Sequence, residues 1–202
     1  MKNNDNFKDF LDGVANRYTW LIYNEEQIPI QSLQDQLNFF HHNFSMPLIS
    51  VNLKHLIKWE HKLNSIHPHF VHLDQKDQRL YALIYLAHHY GGFFLPLNFV
   101  HKNVPTYFDY IENNVYLAAI FLSNKDTIQE ILSRLNSTEK FFDCAWMIRR
   151  KTEFTKICLD QIHALMNSQQ LKSKGLKKQS LLHSCILESI NVYIQDILFV
   201  FE

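Results

Sequence analysis

A chain of 202 residues with 47% hydrophobic and 14% aromatic side chains is long enough to build one domain around a large core. Its 20 basic and 20 acidic residues cancel to a formal charge of zero, with a pI near 7.2, which argues against a general nucleic-acid or polyanion binder. There is no apolar run of the roughly 18 residues that would cross a bilayer and no secretory signal, so a cytoplasmic protein without a transmembrane segment is expected.

In chain order, Tyr18-Thr-Trp-Leu-Ile-Tyr23 is a short aromatic and branched run that predicts a strand, followed by a polar loop with Asn24, Glu25 and Glu26. Ser32 to Asn43 places Leu33, Leu37 and Phe40 on one helix face behind Ser32 as N-cap candidate, with Asp35 three residues on. Leu48 to Val51 predicts a buried strand, and Leu53 to Ile66 a helix. Tyr81, Ile84, Tyr85 and His88 then recur at helical spacing until Gly91 and Gly92 stop the helix, and Phe93 to Phe99 has a strand's aromatic and branched character. This alternation argues for an α/β sheet with parallel crossovers and helices on both faces. Further on, Val115 to Leu122 predicts a buried strand, and Asn124 caps a helix carrying Ile128, Ile131, Leu132 and Leu135. Phe141 to Ile148 reads as helix or strand, and Thr152 to Met166 as a helix with Phe154, Ile157, Cys158, Ile162 and Leu165 inward. The expected division is an α/β domain over 1–168, a lysine-rich basic loop over 169–179, and an apolar segment over 180–202 that packs on the domain as a more helical C-terminal part or faces a protein partner.

The helix, Tyr90-Gly-Gly92, strand order resembles the central motif of GT-A type glycosyltransferases whose sugar-binding region carries an Asp-x-Asp motif, including the capsular polysaccharide synthesis type. The resemblance implies a single GT-A-like, Rossmann-like mixed sheet flanked by helices, and a nucleotide-sugar donor with a glycan acceptor. It also puts Tyr23 where a tryptophan precedes the family's nucleotide site. In that family the strand after the glycines brings two carboxylates to a divalent metal, which wants hard oxygen ligands. Here Pro96 and Asn98 stand at those positions, so no metal and no other cofactor is expected. The family's helix Asp and Arg fall on Leu80 and Leu83, with Asp77 and Arg79 about one turn earlier on a similar helix face.

Ligands of open α/β sheets bind outside the carboxyl ends of the strands. Tyr23, Asn24, Asn98 and His101 are therefore expected to face one cleft floored by Gly91 and Gly92, with Asp77 and Arg79 as further substrate-binding candidates and Asn98 and His101 as catalytic ones. Histidine is over-used, with 12 in the chain and ten between His41 and His101. His67, His69 and His72 with Asp74 and Asp77 have spacing compatible with a transition metal, but the chain lacks His-Glu-x-x-His and Cys-x-x-Cys, and a surface role is preferred. His88 and His89 suit the end of a helix dipole. The basic run Arg149-Arg150-Lys151 reads as the solvated start of a helix, or as a phosphate grip. Three cysteines, Cys144, Cys158 and Cys185, sit in apolar segments and are expected reduced. Three functions follow: a metal-independent glycosyltransferase, an inactive member of that fold acting as a binding or scaffold protein, or an unrelated α/β binding module in which the Gly-Gly turn is only a cap.

Overall fold

The computed structural model describes residues 18–25, 30–43, 46–96, 116–122, 130, 133, 144–168 and 181–201. Six strands form one mixed sheet: β1 (Thr19–Tyr23), β2 (Leu48–Asn52), β3 (Gly92–Leu95), β4 (Ala118–Leu122), β5 (Ala145–Ile148) and β6 (Ile197–Phe201), in the order β2-β1-β3-β5-β4-β6. β2, β1 and β3 are parallel to one another, β4 is parallel to β6, and β5 runs antiparallel to both its neighbours. Long helices in the described part are α1 (Ile30–Asn43), α2 (Gln75–His89), α3 (Glu153–Asn167) and α4 (Leu181–Val192). The chain is thus an α/β protein, as expected.

The sheet's two faces can be read from alternation along each strand. Trp20, Ile22, Phe94, Ile120, Trp146 and Ile148 enter one core, shared with the buried residues of α2, α3 and α4. Their neighbours in sequence, Leu21, Phe93, Leu95, Phe121 and Met147, enter a second core on the opposite face, against Leu33 and Leu37 of α1. A sheet buried on both faces needs apolar side chains at successive positions, which is why β3 and β5 read as continuous apolar runs. Helices on both faces follow from the same requirement.

Several boundaries differ from expectation. The predicted helix from Leu53 to Ile66 is instead a 3-10 segment, Leu53–Trp59, kinked at His55, and then a turn bridged between His61 and Asn64. Asn52 starts it by accepting from the Lys54 amide, a local bond that competes with α-helix. A second 3-10 turn covers Pro68–His72, where His67 Nδ1 accepts from the His69 amide. Ser32 lies inside α1, which begins at Ile30, so it is no N-cap. Phe141 to Ile148 resolves as strand over Ala145–Ile148, because β3 and β4 flank it with open edges. The terminal apolar run is partly α4 and partly β6, which adds to the sheet beside β4. The predicted helix around Ile128 to Leu135 and the basic loop 169–179 lie outside the described residues, apart from helical positions at Glu130 and Ser133. Strand residues beyond Pro96 also lie outside them.

The join between α2 and β3 is tight. The α2 carbonyls of Leu86 and Ala87 accept from the Gly91 amide, and Gly91 and Gly92 have φ of +68° and +107°. The Tyr18 hydroxyl donates to the Tyr90 carbonyl, and Trp20 Nε1 donates to the Gly91 carbonyl at 2.7 Å. A Cβ on Gly92 would sit 2.7 Å from the Tyr18 carbonyl oxygen and 2.9 Å from Trp20 Nε1. Gly92→Ala should therefore lose about 2–4 kcal/mol by chemical denaturation, from backbone strain plus overlap with backbone that cannot retreat. Gly91→Asn should lose about 1 kcal/mol, since Asn tolerates the left-handed region. Equal and small losses at both positions would show that the close approach to β1 is not tight.

Candidate functional site

β1 lies between β2 and β3, so the chain leaves β1 to one side for β2 and returns on the other for β3. That reversal is a topological switch point, and a crevice lies beside the carboxyl end of β3 there. It is lined by Trp20 and Ile22 of β1, Arg79 and Leu83 of α2, Phe94 and Leu95 of β3 with Pro96 just after it, and Trp146 of β5 with Cys144 just before it. The crevice is shallow, about 300 Å³ counting space open to solvent. Its walls are aromatic and aliphatic, and Arg79 is the charged side chain among them. A planar guanidinium beside aromatic faces suits a ligand that joins a flat ring to an anionic group.

The sequence-predicted residues divide on this geometry. Arg79 is in the crevice, and Leu83, one turn further along α2, lines it with Arg79. Asp77 is buried in the first turn of α2, where its amide donates to the N-cap Asp74 at 2.8 Å. Asn24 is buried just past the end of β1. Tyr23 is half-buried at the end of β1, but alternation from Leu21 aims it to the face opposite Arg79. Burial, with the nearby Glu25 charge second, raises the Tyr23 phenol above its ordinary value.

Gly91 and Gly92 do not floor this cleft. The register pairs Thr19 with Phe93 and Leu21 with Leu95, so the glycines sit beside Tyr18 at the amino end of β3. Five residues of strand, about 16 Å, separate Gly92 from the level of Tyr23. Their role is the close packing of α2, β1 and β3. Asn98 and His101 lie outside the described residues. Arg149, Arg150 and Lys151 follow β5 where it pairs with Gly92, at the end of the sheet away from the crevice; the Lys151 amide donates to the His88 carbonyl at 2.8 Å. Trp20, Phe94 and Trp146 were not singled out as site residues from sequence. The signal available for them was that a cleft beside a sheet takes its walls from the inward-facing residues of its strands.

The histidines form a second, separate feature. Residues 59–73 run as a strap along α2 in the opposite direction, held by three tyrosine hydroxyls of that helix's end and middle. Tyr90 donates to the Trp59 carbonyl at 3.0 Å. Tyr85 donates to the Asn64 carbonyl and accepts from the His61 amide. Tyr81 accepts from the His67 amide and contacts His163 Nε2 at 3.1 Å. Burial pushes the Tyr81 phenol up to about 12, and Tyr85 higher still, so both stay neutral donors. His61 stacks on His89 with ring centroids 4.6 Å apart. His67 meets Asn167 Oδ1 at 3.1 Å and His88 meets Thr155 Oγ1 at 3.0 Å, tying the strap and α2 to α3. Among the described residues no group of three or more His, Cys, Asp or Glu side chains is arranged to hold a metal ion, so the His67, His69, His72 spacing does not converge there. The three cysteines are free thiols; burial pushes Cys158 up to about 12 and Cys185 up to about 11, which leaves both poor nucleophiles.

No family model, no curated protein and no solved structure matches the chain.

Burial first, then the charges of His88, His61, Lys151 and His163, push His89 down to about 3; its Nε2 finds no hydrogen-bond partner among the described residues. A folded pKa below the unfolded value means the unfolded chain takes the proton first. Stability is therefore full above about pH 6.5 and is lost as pH falls from there toward 3. Between pH 7 and pH 5 His89 alone should cost about 2 kcal/mol, with His88 and His163, also lowered chiefly by burial, adding to it. Denaturation midpoints at the two pH values should show this slope, and His89→Leu should flatten it. An unchanged slope in that variant would mean that His89 takes up its proton alike in the folded and unfolded chain, against the burial argued here.

Proposed function

We propose that the chain is a GT-A-type glycosyltransferase-like protein that binds a nucleotide sugar in the crevice at the carboxyl ends of β1 and β3, and that transfer, where it occurs, is metal-independent. The single observation carrying the reading is Arg79, set among aromatic walls at the switch point of a mixed α/β sheet. It supports the one-turn shift that the sequence resemblance requires, because Arg79 and Leu83 line the same crevice. Arg79 then neutralises the leaving diphosphate in place of a metal, and Asn98 and His101 are kept as the catalytic candidates that the resemblance implies. Asn24 is a supporting position just past β1, and Asp77 one at the start of the helix that carries Arg79; Tyr23, on the opposite face, is left out of the crevice.

A second reading has its own observation. Pro96, in the crevice wall, offers no side-chain ligand where the resemblance asks for a carboxylate, which favours an inactive binding or scaffold protein of the same fold. Partners on the first reading are a nucleotide sugar and a glycan acceptor, in the cytoplasm. The C-terminal apolar segment as a protein-binding surface is weakened by β6 being taken up in the sheet, where Ile197 and Val200 are buried.

Thermal unfolding with a panel of nucleotide sugars, with and without manganese, tests this. A ligand at about 100 times its Kd adds about 2.7 kcal/mol of stability. A nucleotide sugar should raise the midpoint without manganese, and Arg79→Ala should weaken binding about 10- to 100-fold, the loss of a charge-assisted contact. Turnover of the stabilising sugar separates transferase from scaffold. Silence across the panel, or the same rise in Arg79→Ala, would refute the site.

A further inference from the structure

The outer side of the segment 53–72 carries a surface that the crevice does not use. Of the large hydrophobic side chains exposed among the described residues, three lie here: Ile57 at 61%, Leu63 at 85% and Val71 at 70%. Isolated exposed aliphatics are ordinary, but three within one short segment are a concentration. Lysines stand beside them, with Lys54, Lys58 and Lys62 all exposed. The segment's one acidic residue, Glu60, is half-buried and turned inward, its carboxylate accepting from the Ile66 amide at 2.9 Å. In a chain of zero net charge this is a local basic surplus.

Ile57, Leu63, Val71 and the three lysines are exposed, while Leu53, Leu56, Ile66 and Phe70 of the same segment are buried in the core. The tyrosine hydroxyls of α2 and the His61–Asn64 bridge hold the segment in one shape, and Leu63 projects from that bridged turn. Aliphatic tips on a fixed backbone, ringed by flexible cations, are what an anionic lipid surface binds: the tips enter the headgroup boundary and the lysines meet lipid phosphates. A protein partner fits less well, since protein interfaces favour aromatic residues and Arg and are depleted in Lys.

We propose that this face docks on an anionic membrane surface, through Ile57, Leu63 and Val71 as apolar contacts and Lys54, Lys58 and Lys62 as the charge. The proposal is independent of the crevice reading. Co-sedimentation of the full chain with vesicles of phosphatidylcholine, and of phosphatidylcholine mixed with phosphatidylglycerol, tests it. Binding should appear on the anionic vesicles alone and weaken as salt rises. Replacing Lys54, Lys58 and Lys62 together with Ala should weaken it on the order of a hundredfold, at about fivefold per lysine. Ile57→Ser with Leu63→Ser should weaken it at least about tenfold. Thermal unfolding like the parent's shows that both variants are folded. No binding to either vesicle, equal binding to both, or full retention by the serine variant would overturn the proposal, the last by reducing the contact to charge alone.

Discussion

The structure depends on how closely β3 can approach β1. Gly92 lets the two backbones meet with the Phe93 amide donating to the Tyr18 carbonyl at 2.9 Å, in space that a Cβ would fill. Trp20 closes the same joint from β1 by donating its indole N–H to the Gly91 carbonyl. Once that contact forms, α2 has one direction in which to leave β3, and its inward face falls along the sheet. Arg79 is placed in the crevice by this joint at the far end of the same helix, three turns away. The glycines act on the site through the helix they aim, without touching it.

The rest of the core is organised around α2. Its buried residues, including Leu80, Tyr81, Ile84 and Tyr85, pack against the sheet and against α3 and α4, while the hydroxyls of Tyr81, Tyr85 and Tyr90 satisfy backbone groups of the strap. Each ring serves two purposes, since a buried tyrosine needs a partner for its hydroxyl and an irregular segment needs partners for its amides and carbonyls. The histidines fill the remaining gaps between strap, α2 and α3. Burial first, and neighbouring cationic side chains after it, disfavour the charged forms of His88, His89 and His163. Histidine enrichment here is thus accounted for by packing and hydrogen bonding.

Much of the fold was legible in the sequence for a plain reason. The strands β1, β2, β3 and β4 are short apolar runs bounded by turn residues, and α2 and α3 carry periodic apolar faces, so local pattern and tertiary burial agree. Phe141 to Ile148 stayed ambiguous because four apolar residues in a row have no period; only the flanking β3 and β4 make them a strand. Leu53 to Ile66 was misread as one helix because Leu53, Leu56 and Trp59 have helical spacing, while the competing Asn52 cap and the kink at His55 cannot be seen in periodicity. Of the residues singled out from sequence, Arg79 lines the crevice, on the helix face it shares with Leu83. Gly91 and Gly92 were misplaced because a sequence gives no length along the strand between a turn and the strand's far end. The aromatic walls were missed because Trp20, Phe94 and Trp146 are buried core residues, and their pattern is that of any inward strand position.

The central claim is that the crevice beside Arg79 and Trp146 is where a nucleotide diphosphate group is recognised. The chain has three tryptophans, Trp20, Trp59 and Trp146, so their indole N–H signals in a nitrogen-labelled sample report three known places. On titration with a nucleoside diphosphate, a saturable shift of the Trp146 signal and of the Arg79 side-chain signal is expected, with Trp59, at the start of the strap and outside the crevice lining, moved least. Absence of any shift, or shifts confined to Trp59 and the strap, would contradict it.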